Sequence, residues 1–283
     1  MTAHGILTDQ AGKVLLHRIN PTTAGIVSCP LEAGKLPGVA LTLAFRESTG
    51  LIIQPVRLTG LYHRREKVTG HLSLVYRCIV RGGELASPDG SPIAGFFDLR
   101  DLPPGTTAES RRFLTDACQH TGGPPALNSL DEGVAGLWRR LVMSPPARDT
   151  NQDDWSITSC LVLVDENERV TWVPAQPEAS YQLPTVTANP AEAPWAAVEQ
   201  FREEISKKDY APVELRKLQI APERPTMKLV FYSRVVETKP YADTEFLALR
   251  DIDPNDNRFI TSDLALAREV IGLTGPVVET IES

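Results

Sequence analysis

The sequence contains no apolar run approaching the ~18–20 residues that a membrane-spanning helix needs, so no membrane span is expected. Its start, MTAHGILTDQ, has no basic segment followed by an apolar one and is not expected to act as a signal peptide. Positive charge is in deficit: 29 Lys and Arg face 36 Asp and Glu, giving a net charge of −7. Gripping nucleic acid takes a basic face, so nucleic acid is not an expected partner. A small phosphorylated ligand needs only a few local cations and stays open, as does a protein partner. Cysteine is sparse. Cys29, Cys78, Cys118 and Cys160 form no CxxC pair, and Cys78 and Cys160 sit in apolar, strand-like runs that read as core. This pattern fits a cytoplasmic chain with reduced thiols. All five histidines fall in the first 120 residues without metal-ligand spacing, which argues against zinc. No GxSxG, Walker-type or GxGxxG motif is present, so none of those enzyme classes is favoured.

What is present is a globular composition, 42% apolar and 23% charged, over 283 residues, enough for two domains. A repeat organises it. AFRESTGLII at 44–53 resembles QFREEISKKD at 200–209, with Phe-Arg-Glu at 45–47 and again at 201–203, an offset of 156. TDQAGKVLL at 8–16 matches VDENERVTW at 164–172, and SLVYRCIV at 73–80 matches LVFYSRVV at 229–236, at the same offset. FFDLRDLPP at 96–104 matches FLALRDIDP at 246–254 at an offset of 150, so a loop has changed length by six residues. Four blocks in one order read as a divergent duplication. The expected domains are 1–121 and 157–283, joined by a linker, 122–156, that carries one helix over 130–142.

Each copy opens with two apolar runs around a polar turn, which predicts a β-hairpin. A helix follows, with Val39, Leu43 and Ala44 as the apolar positions in the first copy and Trp195, Val198 and Phe201 in the second. Strand-like runs come next, and a last helix closes each copy. Strands with one helix inserted and another at the end predict a mixed sheet covered by helices.

At this point the chain resembles the Nudix family, whose box reads GX5EX7REUXEEXGU, with U a bulky apolar residue. The resemblance implies two tandem Nudix-like α/β/α sandwich domains with mixed sheets. It also implies a loop–helix–loop that holds a divalent metal against a substrate's diphosphate. The box is degenerate in both copies. The first keeps Leu31-Glu32-Ala33-Gly34, Phe45, Glu47, Gly50 and Leu51, but has Cys29 for the opening glycine, Lys35 for the first glutamate, Leu43-Ala44 for Arg-Glu and Ser48 for the second glutamate of the pair. The second keeps Leu183-Pro184, Phe201, Glu203 and Glu204, but has Glu199-Gln200 for Arg-Glu and Ser206 for the closing glycine.

Magnesium demands several hard oxygen ligands in near-octahedral array. Box positions three and four apart share one helix face. One carboxylate, Glu47, remains there in the first copy, so that copy is expected to be inert. The second offers Glu203 and Glu204 as catalytic and metal-binding candidates, with Gln200 as a neutral third ligand, and is expected to hold magnesium weakly. Lys35, His63, Arg64 and Arg65 are the substrate-binding candidates. The competing reading of all these residues is ordinary solvation. The expected function is recognition of a nucleotide or other diphosphate-containing ligand with hydrolysis weak or lost. The alternatives are a magnesium-dependent pyrophosphohydrolase working from the second copy, or a fold repurposed in specialised metabolism.

Overall fold

The computed structural model of the chain describes residues 1–65, 70–85, 94–120, 122–130, 155–175, 180–189, 191–221, 223–238, 244–273 and 278–281. These fall into two compact units, one built from the first half of the chain and one beginning at Trp155.

In the first unit, β1 (Thr2–Leu7) runs antiparallel to β4 (Val27–Pro30) and parallel to β6 (Gly70–Gly83). β6 runs antiparallel to β5 (Leu51–Arg65), which takes β8 (Ala126–Leu130) in parallel, so the mixed sheet has the order β4-β1-β6-β5-β8. A smaller sheet joins β3 (Thr23–Gly25), β2 (Val14–Asn20) and β7 (Ala94–Phe97). The hairpin expected from β1 and β2 is therefore split between two sheets. The Asp9 carboxylate does hold the turn, accepting the Ala11 and Lys13 amides at 2.9 and 2.8 Å, but only Thr8 and Val14 pair across it. β2 leaves to pair with the distant Phe96 and Phe97, because side-chain partners across a strand pair stabilise it as much as a short turn does.

Helices cover both faces. α1 (Pro37–Thr49) drives Phe45, fully buried, against Gly5, where a Cβ would lie 2.3 Å from the ring. Strand side chains alternate faces, so the neighbouring His4 and Ile6 point the other way. There α2 (Ala108–Gln119) packs Phe113, Leu114 and Ala117 on Ile6, Tyr62 and Val75. Thr107 caps α2, its hydroxyl accepting the Ser110 amide at 3.1 Å. The apolar face expected for α1 is corrected: Val39 and Leu43 are 52% and 44% exposed, while Leu41, Phe45 and Thr49, spaced by four, are buried.

The second unit repeats these pairings. β9 (Ser156–Val164) runs parallel to β15 (Thr226–Thr238) and antiparallel to β12 (Thr185–Thr187). β15 pairs with β14 (Glu214–Ala221), and β14 takes β17 (Val278–Ile281) in parallel. β10 (Arg169–Ala175) pairs with β11 (Ser180–Gln182) and with β16 (Glu245–Ala248), which leads into a 3₁₀ turn at Leu249–Asp251. Here the opening hairpin keeps one sheet, through Val164 and Val170. α3 (Ala196–Ile205) lies on one face. α4 (Thr261–Gly272) covers the other, with Leu264, Ala267 and Val270 in one core with Val162, Val164 and Trp172. Both units are thus α/β with mixed sheets sandwiched by helices.

Two differences separate the units. After α1 the chain turns at Gly50, in the left-handed region at φ 76°, straight into the 15-residue β5. After α3 Ser206 is extended, and the strand that follows is broken by Ala211-Pro212-Val213 into β13 (Ser206–Tyr210) and β14, both paired with β15. Proline lacks the amide a ladder needs. Of the expected linker, residues 126–130 form β8 on β5, so the first sheet runs past residue 121. The linker helix expected over 130–142 lies outside the described residues, apart from Leu130, which ends β8.

Candidate functional site

α3 has no side-chain cap at its start. Its position is fixed instead by Trp195, Val198 and Ile205, all buried. Ser159 of β9 also donates its hydroxyl to the Pro194 carbonyl at 2.5 Å, just before the helix. With that face inward, the next stripe of the helix borders a cleft of about 300 Å³. Ala197, Val198 and Phe201 line it from the helix, and Val173, Pro184 and Val186 from the strands opposite. Gln200 and Glu204 are its polar members besides Thr185. One helical turn apart, they are bonded to each other: the Gln200 amide donates to Glu204 Oε1 at 2.9 Å.

Glu203 is not among the residues lining the cleft. Adjacent helical residues point about 100° apart, and Glu203 is exposed, 3.6 Å from the buried Arg202 guanidinium. The expected pair of glutamates is therefore divided between two faces. Glu199, one turn before Arg202 and Glu203, is half-buried. Desolvation raises its pKa, Arg202 opposes that rise and Glu203 adds to it.

The first unit has less to offer at the matching places. Glu47 is exposed on α1. Ser48, in the position of a second glutamate, turns its hydroxyl back onto the Ala44 carbonyl at 2.6 Å. Lys35 is exposed and pairs with Glu32 at 2.8 Å. That hydrogen bond is the main cause of its raised pKa, and the charge of Glu47 adds a smaller rise.

The three cationic candidates of β5 are not the loop tip that their sequence context implies. His63 is buried, 5% exposed, inside the sheet. Arg64 is half-buried and reaches Glu109 of α2 at 3.9 Å, and Arg65 is exposed at the strand's end. Strand alternation puts Arg64 on the α2 face, together with Tyr62. The face that carries α1 and Glu47 is the opposite one. The structure thus sets Gln200 against Glu204 and Lys35 against Glu32, and it does not bring Arg64 to α1.

A divalent ion does not fit the described residues of α1 or of the α3 cleft. Among the described residues no three acidic, histidine or cysteine side chains converge. The cleft of α3 offers one carboxylate and one neutral carboxamide, already bonded together. Magnesium dehydrates reluctantly and requires more anionic oxygen than this.

No family model matches the chain. It is similar to an ADP-ribose pyrophosphatase of Methanocaldococcus jannaschii, 34% identical over 104 residues. That match covers 35% of this chain and 62% of the relative, so the chain spans less than two thirds of that protein's length. Among solved structures it resembles an ADP-ribose pyrophosphatase of Streptococcus suis, with 19% identity, 46% of this chain, 97% of the other and a TM-score of 0.35. It also resembles a Nudix hydrolase of Nitrosomonas europaea, with 15% identity, 46% of this chain, 78% of the other and a TM-score of 0.39.

Proposed function

We propose that this chain is a Nudix-like protein that recognises a nucleotide or another diphosphate-containing ligand, with metal-dependent hydrolysis weak or lost. The repeated strand pairings support reading its two units as an internal duplication. The likeness to an ADP-ribose pyrophosphatase supports the ligand class. The observation that carries the loss of hydrolysis is the Gln200–Glu204 bond. A diphosphate is cleaved when a metal, gathered by several carboxylates, polarises it and activates water. Here the one carboxylate on the cleft is tied to an amide, and its neighbour Glu203 points elsewhere. The first unit has Glu47 alone.

Titration of the full chain with ADP-ribose by calorimetry, alongside hydrolysis assays in Mg²⁺ and in Mn²⁺, tests this reading. Binding without turnover is the expected result. Robust turnover abolished by Glu204→Gln would replace the reading with a pyrophosphohydrolase acting from the second unit. Turnover abolished by Glu47→Gln would move the site to the first.

A further inference from the structure

The proposed ligand raises a difficulty at the α3 cleft. A diphosphate placed there meets the Glu204 carboxylate, no lining residue is cationic, and a bridging metal does not fit. Like charges in a partly apolar recess repel more strongly than in water. The anion needs another seat.

A second cleft of the same unit, about 310 Å³, has the complementary chemistry. It is lined by Arg169, Arg250 and Arg258, with the aromatic rings of Phe246 and Phe259 and the single carboxylate of Asp251. We propose that this cleft binds the phosphate or diphosphate group of the ligand, with an attached ring or apolar group against the partly exposed Phe246. The proposal rests on the diphosphate reading above and names its site.

Two of the three guanidiniums are held in place. Arg169 donates Nε to Asp165 Oδ2 at 2.7 Å and has Nη2 2.6 Å from the same oxygen, and Asp165 is itself buried. That aspartate is fixed by the turn before β10, where it also accepts the Asn167 and Arg169 amides at 2.9 and 2.8 Å. Arg258 forks onto Asp256, with Nε 3.2 Å from each carboxylate oxygen and Nη2 at 2.8 Å from Oδ2. Guanidinium has five donors, and these contacts use the Nε and Nη2 side of each fork. A fork held before the ligand arrives loses little freedom on binding, which favours bidentate capture of an oxyanion. Arg250 is the loose member: its side chain is 77% exposed and no closer than 3.9 Å to Asp251. It can swing to close on the anion.

Asp165, Asp251 and Asp256 balance the three arginines in charge. The cleft therefore selects by donor geometry rather than by a broad positive field, in keeping with a chain of net charge −7. In the first unit the matched blocks set Lys13 at Arg169 and Arg100 at Arg250, but Arg258 has no counterpart. That unit's isolated pairing of Ala24 with Thr106 corresponds to that of Tyr181 with Phe259, which sets Gly105 where Arg258 stands. A Cβ on Gly105 would lie 2.1 Å from the Thr22 carbonyl oxygen, so no side chain fits there.

Calorimetry on the full chain at low salt, with pyrophosphate and then ADP-ribose as probes, tests the proposal. Arg250→Ala with Arg258→Ala is expected to weaken pyrophosphate binding tenfold or more, while Arg81→Ala, which removes an exposed arginine of the first unit bonded to Gln54, leaves it within twofold. Arg250→Lys with Arg258→Lys keeps the charge but loses the fork and is expected to fall between. This second pair keeps the test decisive should circular dichroism show that the alanine pair is misfolded. Pyrophosphate binding that is absent, or unchanged in both arginine pairs, overturns the proposal. If ADP-ribose binds the wild type and both arginine pairs equally, the site is wrong and the diphosphate reading stands. If pyrophosphate binds through the arginines but ADP-ribose does not bind, the cleft stands and the nucleotide reading falls.

Discussion

α1 and α3 hold the same place in two units with matching strand pairings, yet they differ in opposite ways. α1 ends at Gly50 in the left-handed region and buries Phe45 wholly, but between Ala44 and Ser48 it carries Glu47 as its single carboxylate. α3 carries the neighbouring Glu203 and Glu204, but Ser206 after it is extended, the next strand is broken at Pro212, and Phe201 is only half-buried and opens onto a cleft. Acidic side chains and tight helix packing are thus separable between the two units.

The comparison can be broken most directly through the phenylalanines. Phe45→Ala should destabilise the first unit by about 3–5 kcal/mol, the usual cost of a cavity at a fully buried ring. Phe201→Ala should cost about 1–2 kcal/mol, because part of its ring already faces open space. With Trp138, which lies outside the described residues, replaced by phenylalanine, the remaining Trp155, Trp172 and Trp195 all lie in the second unit, so fluorescence follows that unit, and hydrogen exchange at β6 follows the first. Equal losses in the two variants would mean that the helices are packed alike.

Acid separates the units next. The described second unit has no histidine, whereas His4 of the first is buried against Phe113. Burial, reinforced by His71 and Arg64, lowers its pKa from 6.5 to about 3. The folded state therefore keeps His4 neutral where the unfolded chain is protonated. The stability of the first unit should be intact above pH 6.5 and fall by about 1.4 kcal/mol per unit of pH below it, towards pH 3. Urea melts at pH 7 and pH 5 followed by hydrogen exchange check this, and His4→Gln should flatten the slope. A second unit that loses as much stability as the first would contradict the assignment.

A subtler change sharpens the chemical half of the comparison. Gln200→Glu replaces a hydrogen-bonded pair by two carboxylates one turn apart. Without metal it should destabilise α3 by about 0.2–0.5 kcal/mol. With Mn²⁺ it should raise the melting temperature where the wild type shows no response. The smallest effect belongs to Lys35→Ala: an exposed ion pair to Glu32 should leave the melting temperature unchanged within error.

Much of this architecture was legible in the sequence. The helices at 37–49, 108–119, 196–205 and 261–272, and the long strands holding Tyr76 and Tyr232, follow from periodicity and from the repeat. The split of the first hairpin was not, because Leu15 and Leu16 look the same whether their partner is nearby or is Phe96. The inward face of α1 was misjudged for a similar reason: Leu41 and Leu43 are equally apolar, and only packing on Gly5 chooses between them. At the site, sequence spacing placed Gln200 and Glu204 together but could not show that they bond to each other. The arginine cleft was missed because Arg169, Arg250 and Arg258 lie up to 89 residues apart in the chain. The one signal available was the pairing of Asp-x-x-x-Arg at 165–169 with Asp-x-Arg at 256–258.

The parallel seat of β8 on β5 has a practical consequence. A fragment ending at residue 121, where the repeat suggests a boundary, would shed Ala126–Leu130 and uncover the backbone of Gly60–Arg64. An open edge of that kind is a template on which another chain can add a strand. Such a fragment should dimerise or precipitate even though both its helices are complete, and extending it through Leu130, which also packs on the core, should keep it monodisperse.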